Sequence, residues 1–173
     1  MTDASSFRQE PETTGDERAT LTGFLDYHRG TLEWKCASLT PEQLARRAIL
    51  PSTLSLLGIV RHLADVERSW FRRRLAGEAV PPIFFTETEP DLDFDGAVAD
   101  PDEVATAFAA WRREVARARE ITSAFELDDT FVHPQTDETL SVRWVLTHMI
   151  EEYARHNGHA DLLREAIDGQ TGE

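Results

Sequence analysis

Apolar residues recur at spacings of three and four in four separate segments of this chain, and this feature constrains the fold more than any other. Such spacing places apolar side chains on one face of an α-helix, which must then pack against other helices. The pattern predicts helices from Asp16 to about Ser38, from Ser55 to about Ala76, from Asp100 to about Phe125 and from Ser141 to about Ile167. We therefore predict an all-α fold, a four-helix bundle, in which facing helices can direct polar side chains into the interior.

A long connection joins the second and third of these helices. Residues 81–100 contain prolines, acidic residues and phenylalanines without a helical period, so we expect a crossover that packs over the bundle. A shorter helical turn is expected after Thr40, and an extended piece at residues 130–133. Residues 1–15 are polar, and we predict a flexible tail there, followed by one helical domain over residues 16–173.

Charge and cysteine content exclude several classes of protein. The formal net charge is −14 at pH 7, from 32 acidic and 18 basic residues, and it would repel nucleic acid and anionic membranes. Cys36 is the single cysteine, so no internal disulfide can form. The N-terminal sequence has no basic region followed by an apolar run, and no apolar stretch approaches the ~20 residues of a membrane span. We predict a cytoplasmic protein without a nucleic-acid or membrane partner.

The last helix carries a stripe of polar residues on an inward-facing sector. His148, Glu152, His156 and His159 are separated by offsets that nearly complete whole helical turns, so their side chains fall within ~80° of one another. Val145 lies in the same sector, which indicates that the stripe faces the bundle interior. Imidazoles and a carboxylate in such a place are costly unless they are paired or bound to something.

His62 lies on the apolar face of the second long helix, between Ile59 and Val66. A single histidine in this position is most often a core residue satisfied by a neighbour. Opposite a glutamate and a histidine on the last helix, it completes three nitrogen and oxygen ligands, the count of a catalytic zinc site with open positions. The spacing of four allows either Glu152 with His156 or His148 with Glu152. His159 remains a candidate fourth ligand, a partner of a ligand, or a pocket residue that moves protons.

The sequence resembles the DinB and YfiT-like superfamily of metal-binding four-helix bundles, and especially its branch with mycothiol-dependent maleylpyruvate isomerase. The resemblance is carried by "GIVRHLADVERSWF" around His62 and by "WVLTHMIEEYARHNGHADLLRE" on the last helix. It implies a DinB-like bundle with His62, Glu152 and His156 as metal ligands, where most relatives have a histidine in place of the glutamate. It also implies that His159 is a pocket residue.

The resemblance further implies a chemistry and a set of partners. Relatives use zinc, nickel, iron or manganese to activate a low-molecular-weight thiol such as mycothiol, or a water, for transfer, isomerisation or hydrolysis on a small molecule. Zinc is the first choice of ion for this donor set. Homodimers are common in the resembled family, and Trp34, which lies off the main apolar stripe of its helix, is a candidate dimer contact.

Two histidines are candidates for a catalytic acid or base. His159 lies on the stripe, and His28 lies on the apolar face of the first helix beside Phe24. His133 precedes a proline in a loop, and we interpret it as exposed. Two other hypotheses stay open: a non-catalytic protein in which the metal braces two helices for sensing or binding, and a metal-free fold in which Glu152 pairs with His62 or Arg155.

Overall fold

The computed structural model of the chain describes residues 7–171. This part of the chain is mostly helical and contains one two-stranded antiparallel sheet. The helices are α1 (Glu17–Cys36), α2 (Pro41–Ala45), α3 (Leu56–Glu67), α4 (Leu92–Asp95), α5 (Pro101–Ser123) and α6 (Val142–Asp168), and the strands are β1 (Thr130–Val132) and β2 (Thr139–Ser141). The prediction of a mainly helical chain is confirmed.

Side-chain caps fix where the long helices begin. Asp16, Ser55, Asp100 and Ser141 each stand before a helix, and each accepts a hydrogen bond from a backbone N–H of the first turn. Such caps satisfy donors that have no partner within the helix. Gly169 ends α6 in the left-handed conformation, with φ of 77°, which glycine adopts without steric cost. The four capped starts agree with the predicted starts of the long helices.

The second long helix changes its winding near its middle. Residues Arg68–Leu75 continue α3 as a π-helix, which we call the π segment, and its end is marked by the hydrogen bond from the Ala76 N–H to the Phe71 carbonyl at 2.9 Å. Two arginines of the π segment, Arg68 and Arg72, both reach the buried carboxylate of Glu114 on α5, at 2.8 and 3.3 Å. A uniform α-helix was expected here, and that expectation is wrong for residues 68–75.

The helices pack in two main pairs around one apolar core. Helix α1 lies along α6, and α3 lies along α5 and also contacts α6. The most deeply buried apolar side chains include Leu25, Leu32, Leu63, Phe71, Met149 and Leu163. Within this core Arg29 binds the fully buried Glu67 through both carboxylate oxygens, each at 2.8 Å. This paired arrangement offsets part of the cost of burying the two charges.

The connection between the π segment and α5 covers residues 76–100 and is folded against α3. It contains the short helix α4, which the sequence pattern did not predict. Phe84 and Phe94 of this connection pack against the core, as the aromatic content of the segment indicated. The carboxylate of Asp65 on α3 accepts the backbone N–H groups of Ile83 and Phe84, at 2.6 and 2.8 Å.

The N-terminal segment that the structure describes runs along α1. The Arg8 guanidinium donates to the Thr31 hydroxyl at 3.2 Å and lies 4.7 Å from the ring centre of Tyr27 and 4.8 Å from that of Trp34. Trp34 is only 8% exposed, which leaves little of its ring for a contact with a second chain, and the dimer contact stays a prediction. The first six residues of the predicted tail lie outside the described residues, and the boundary at residue 16 stays a prediction.

Within residues 7–171, no helix combines the length and the apolar character that a bilayer crossing requires.

Candidate metal centre

Helix α3 brings His62 to its contact with α6. Ser55 caps this helix by accepting the Gly58 N–H at 3.1 Å, and His62 follows in the second turn. Its neighbours Val60 and Leu63 are buried in the core, whereas the His62 side chain stays 22% exposed. The ring therefore lies at the edge of the apolar interior, where it is partly shielded from water and still reachable by a small molecule.

Helix α6 supplies the two facing residues. One oxygen of Glu152, Oε1, lies 3.1 Å from Nε2 of His62 and 3.3 Å from Nε2 of His156. One ligand atom from each of the three residues lies within 4.8 Å of the others. His156 is almost fully buried, and Glu152 is 18% exposed. The structure thus brings together His62, Glu152 and His156, which are one of the two sets that the spacing allowed and the set that the resemblance implied.

His148, the alternative of the other spacing, turns away from this cluster. Its ring stacks on Trp144, with centroids 5.1 Å apart and planes inclined by 11°, and it meets the Trp70 ring at a steep angle of 61° with centroids 4.7 Å apart. Its Nδ1 lies 3.5 Å from the carboxylate of Glu151. The geometry therefore favours Glu152 with His156 over His148 with Glu152.

Asp93 on α4 is a member of the site that the sequence analysis missed. Its Oδ2 lies 2.8 Å from Nδ1 of His62, and the residue is 4% exposed. The next residue, Phe94, stacks its ring on His62 with centroids 4.6 Å apart and planes inclined by 24°. The only available signal was an Asp-Phe pair in a connection that lacked any helical period, and this does not indicate which side chain turns inward.

Hydrogen bonds within the cluster favour the charged forms of His62 and Glu152. Burial lowers the pKa of His62, but its hydrogen bonds to Asp93 and Glu152 outweigh this effect and raise the pKa to about 9. The hydrogen bonds from His156 and His62 hold the pKa of Glu152 far below its usual range. These hydrogen bonds therefore stabilise the anionic form of the carboxylate, whose Oε1 contacts both Nε2 atoms.

The donor set fits a divalent cation. Ligand atoms of a tetrahedral zinc site with bonds of ~2.0–2.1 Å lie about 3.3 Å apart, close to the two separations observed around Glu152 Oε1. Asp93 accepts from Nδ1 of His62, and this leaves the Nε2 lone pair for a metal once the second proton is lost. Nδ1 of His156 is buried without a hydrogen-bond partner among the described residues. It would keep its proton if Nε2 of the same ring bound an ion.

His159 and His28, the two candidates for proton transfer, lie in different places. The His159 ring meets the His156 ring edge-on with centroids 5.4 Å apart, and burial lowers the pKa of His159. His28 lies on α1, where its carbonyl accepts from the Asn157 amide at 3.0 Å, and burial also lowers the pKa of this histidine. Because Asn157 and His156 point about 100° apart on α6, His28 contacts a different face of this helix from the one that carries His156.

His133 is not exposed, contrary to the sequence-based interpretation. It follows β1 in the hairpin and is 8% exposed, and its Nε2 lies 2.7 Å from Nε of Arg74 in the π segment. The backbone N–H groups of Gln135 and Thr136 point to its Nδ1, each at 3.3 Å. The side chain is therefore held by the hairpin turn and the π segment, which local sequence could not reveal.

Comparisons with known proteins relate the chain to one family and to one known fold. A family model described as "MST: Mycothiol-S-transferase" matches residues 20–169, a range that includes His62, Asp93, Glu152 and His156. No curated protein matches the chain. The solved structure described as "Crystal structure of the conserved protein of locus from Enterococcus faecalis" aligns with a TM-score of 0.61 at 16% identity, over 91% of this chain and 100% of that chain. This structural likeness shows a shared fold.

Proposed function

Because the chain belongs to the mycothiol-S-transferase family, a DinB/YfiT-like family, we propose that it is a divalent-metal-dependent enzyme that transfers a low-molecular-weight thiol to a small electrophile. The observation that carries the proposal is the shared oxygen of Glu152, within 3.3 Å of Nε2 on both His62 and His156. We take the thiol to be mycothiol or a close analogue, and the four long helices to form a DinB-like bundle.

Three side chains would hold the ion: His62 and His156 through Nε2, and Glu152 through its carboxylate. This set suits zinc first, with nickel, iron and manganese as alternatives. With three protein ligands, positions remain for exogenous molecules. A divalent cation held there would lower the pKa of a thiol at the site, and this would make the sulfur nucleophilic near neutral pH.

The reaction needs a route for one proton. In the transfer, a bond forms between the thiol sulfur and the electrophilic carbon, the S–H proton passes to a base, and in a substitution the leaving group departs with its bonding electrons. His159 is the better candidate for that base, since its ring contacts His156, whereas His28 contacts Asn157 on another face of α6. The partly exposed edge of the cluster, at His62 and Glu152, is where small reactants would enter.

The first experiment asks whether the purified full chain, without a histidine tag or added metal, carries about one divalent ion per chain, measured by elemental analysis. The second follows the loss of mycothiol in the presence of a slowly reacting aryl chloride, with His156→Ala as the matched control. Metal-dependent thiol loss that is absent in the variant supports the proposal. A metal-bound protein that consumes no thiol with a panel of electrophiles would favour the non-catalytic, metal-braced alternative, and a protein that binds no metal would refute both.

A further inference from the structure

Asp93 and Arg61 make hydrogen bonds that connect the segment before α5 to His62 and to the helix that carries it. We propose that Asp93, which Arg61 holds in place, is a positioning residue that fixes the tautomer and orientation of His62 and thereby sets the affinity of the centre for its cation. The inference rests on the metal centre of the proposed function. It concerns a part of the molecule, the connection before α5, that contributes no ligand of its own.

The carboxylate of Asp93 is oriented from both sides. Its Oδ1 accepts the backbone N–H of Phe94 at 2.9 Å, and its Oδ2 accepts from Nδ1 of His62 at 2.8 Å. Because each oxygen accepts a hydrogen bond, the carboxylate has little freedom to rotate. It can hold the imidazole plane as well as the proton on Nδ1.

Arg61 fixes the backbone that carries Asp93. We call residues 91–96, which include α4, the α4 strap. The Arg61 guanidinium donates through Nε to the Asp93 carbonyl at 2.8 Å and through Nη2 to the Leu92 carbonyl at 2.9 Å. It also lies 4.4 Å from the ring centre of Phe84, which covers it on one side. The Arg61 side chain, which is next to His62 on α3, therefore holds the α4 strap beside the histidine.

The α4 strap approaches α3 too closely to be a loose loop. A Cβ atom on Gly96 would lie 2.7 Å from Nη2 of Arg61 and 2.7 Å from the Leu92 carbonyl. A Cβ on Gly58 would lie 3.3 Å from Cα of Phe94. Both contacts require glycine or a shift of the neighbouring atoms. The α4 strap is thus seated in a fixed position, and the stack of Phe94 on His62 follows from it.

This arrangement has a chemical consequence for His62. A neutral imidazole carries its proton on either nitrogen, and only the form with Nδ1–H can offer Nε2 to a metal. A carboxylate on Nδ1 selects that form, raises the basicity of Nε2 and aims the ring. Loss of such a partner typically costs about 10–100-fold in metal affinity.

The test measures zinc affinity of the full chain by competition with a chromophoric chelator, for wild type, Asp93→Asn and Asp93→Ala. Asp95→Asn is the matched control, since it removes the same charge from the same short helix while Asp95 pairs with Arg47 at 2.8 Å. We expect affinity to fall about tenfold in Asp93→Asn and about 100-fold in Asp93→Ala, with no change in Asp95→Asn. Melting of the metal-stripped proteins checks that the Asp93 variants fold.

A purely structural role of Asp93 predicts something different. It would change the melting temperature but leave the His62 ring nitrogens of the zinc-loaded protein with their wild-type ¹⁵N shifts. We expect the Nδ1–H signal of His62 to shift or exchange faster in Asp93→Asn. Wild-type zinc affinity in both Asp93 variants would overturn the positioning role alone, and a wild type that binds no zinc would overturn the proposed function with it.

Arg61→Lys tests the second half of the proposal. Lysine keeps the charge but cannot donate to two carbonyls in the fixed fork of arginine. We expect a measurable loss of zinc affinity, up to about tenfold. Arg47→Lys is the matched control, because Arg47 contacts the α4 strap at Asp95, and it should leave the affinity at the wild-type value. Equal affinities in the two variants would overturn the role of Arg61.

Discussion

Tyr153 of α6 donates its hydroxyl to the buried carboxylate of Glu67 on α3 at 2.8 Å, one residue after Glu152. The same hydroxyl accepts the indole N–H of Trp111 from α5 at 2.8 Å, and Glu67 in turn binds Arg29 from α1. Each of the four long helices therefore contributes one side chain to a single buried hydrogen-bonded network. Since this network joins α3 and α6 next to the candidate metal centre, it fixes their relative position there.

Replacing Tyr153 with Phe should destabilise the fold by about 1–3 kcal/mol, because the Trp111 N–H then has no acceptor and Glu67 loses a donor in a buried place. The measurement is the free energy of unfolding in urea. Tyr27→Phe is the matched control, since it removes the same hydroxyl from a half-buried ring on α1. Equal stabilities of the two variants would show that the network contributes little beyond packing.

His156→Ala should abolish metal retention while leaving helix content unchanged, since alanine favours the helix and one of three ligands is lost. His148→Ala is the control, because His148 lies about two helical turns before His156 and its ring stacks on Trp144 instead. Elemental analysis after dialysis against a chelator, with circular dichroism, measures both effects. Metal lost from the His148 variant and kept in the His156 variant would move the site to the other spacing.

Glu152→Gln should weaken metal binding by about tenfold or more, since a neutral amide replaces the anion between the two imidazoles. Glu151→Gln serves as the control, because Glu151 is exposed and pairs with Arg155 at 2.7 Å. Calorimetric titration with zinc compares the two proteins. If the Glu152 variant bound zinc as tightly as the control, the carboxylate would be a neighbour of the ion and not a ligand.

Cys36 should be inert toward thiol reagents in the folded protein. Burial raises the pKa of its thiol to about 12, so the reactive thiolate is scarce at neutral pH, and reactivity should start low and keep rising without a plateau up to about pH 10. An exposed cysteine would instead react readily at neutral pH and level off once its thiol ionises near 8.5. Absorbance with a disulfide reagent measures this, and the guanidinium-unfolded chain is the positive control. Rapid labelling of the folded protein would show that Cys36 is accessible.

The chain's own sequence determined the helices and a short set of candidate ligands, His62 with either Glu152 and His156 or His148 and Glu152. A helical period and a cap are local properties, so Asp16, Ser55, Asp100 and Ser141 could be recognised as starts from their neighbours alone. His62 was placed on an inward face by Ile59 and Val66, and Glu152 and His156 by their spacing of four. The assignment of those two over His148 needed the family resemblance, because spacing alone allowed both.

Only the tertiary structure decided what surrounds these residues. The position of Asp93 depends on Arg61, 32 residues earlier in the chain, and that of His133 on Arg74, 59 residues earlier. The winding of the π segment likewise accompanies contacts with Glu114 on another helix. Segments without a period carry no local signal for the direction of a side chain, since that direction is fixed by contacts formed when distant parts of the chain pack together.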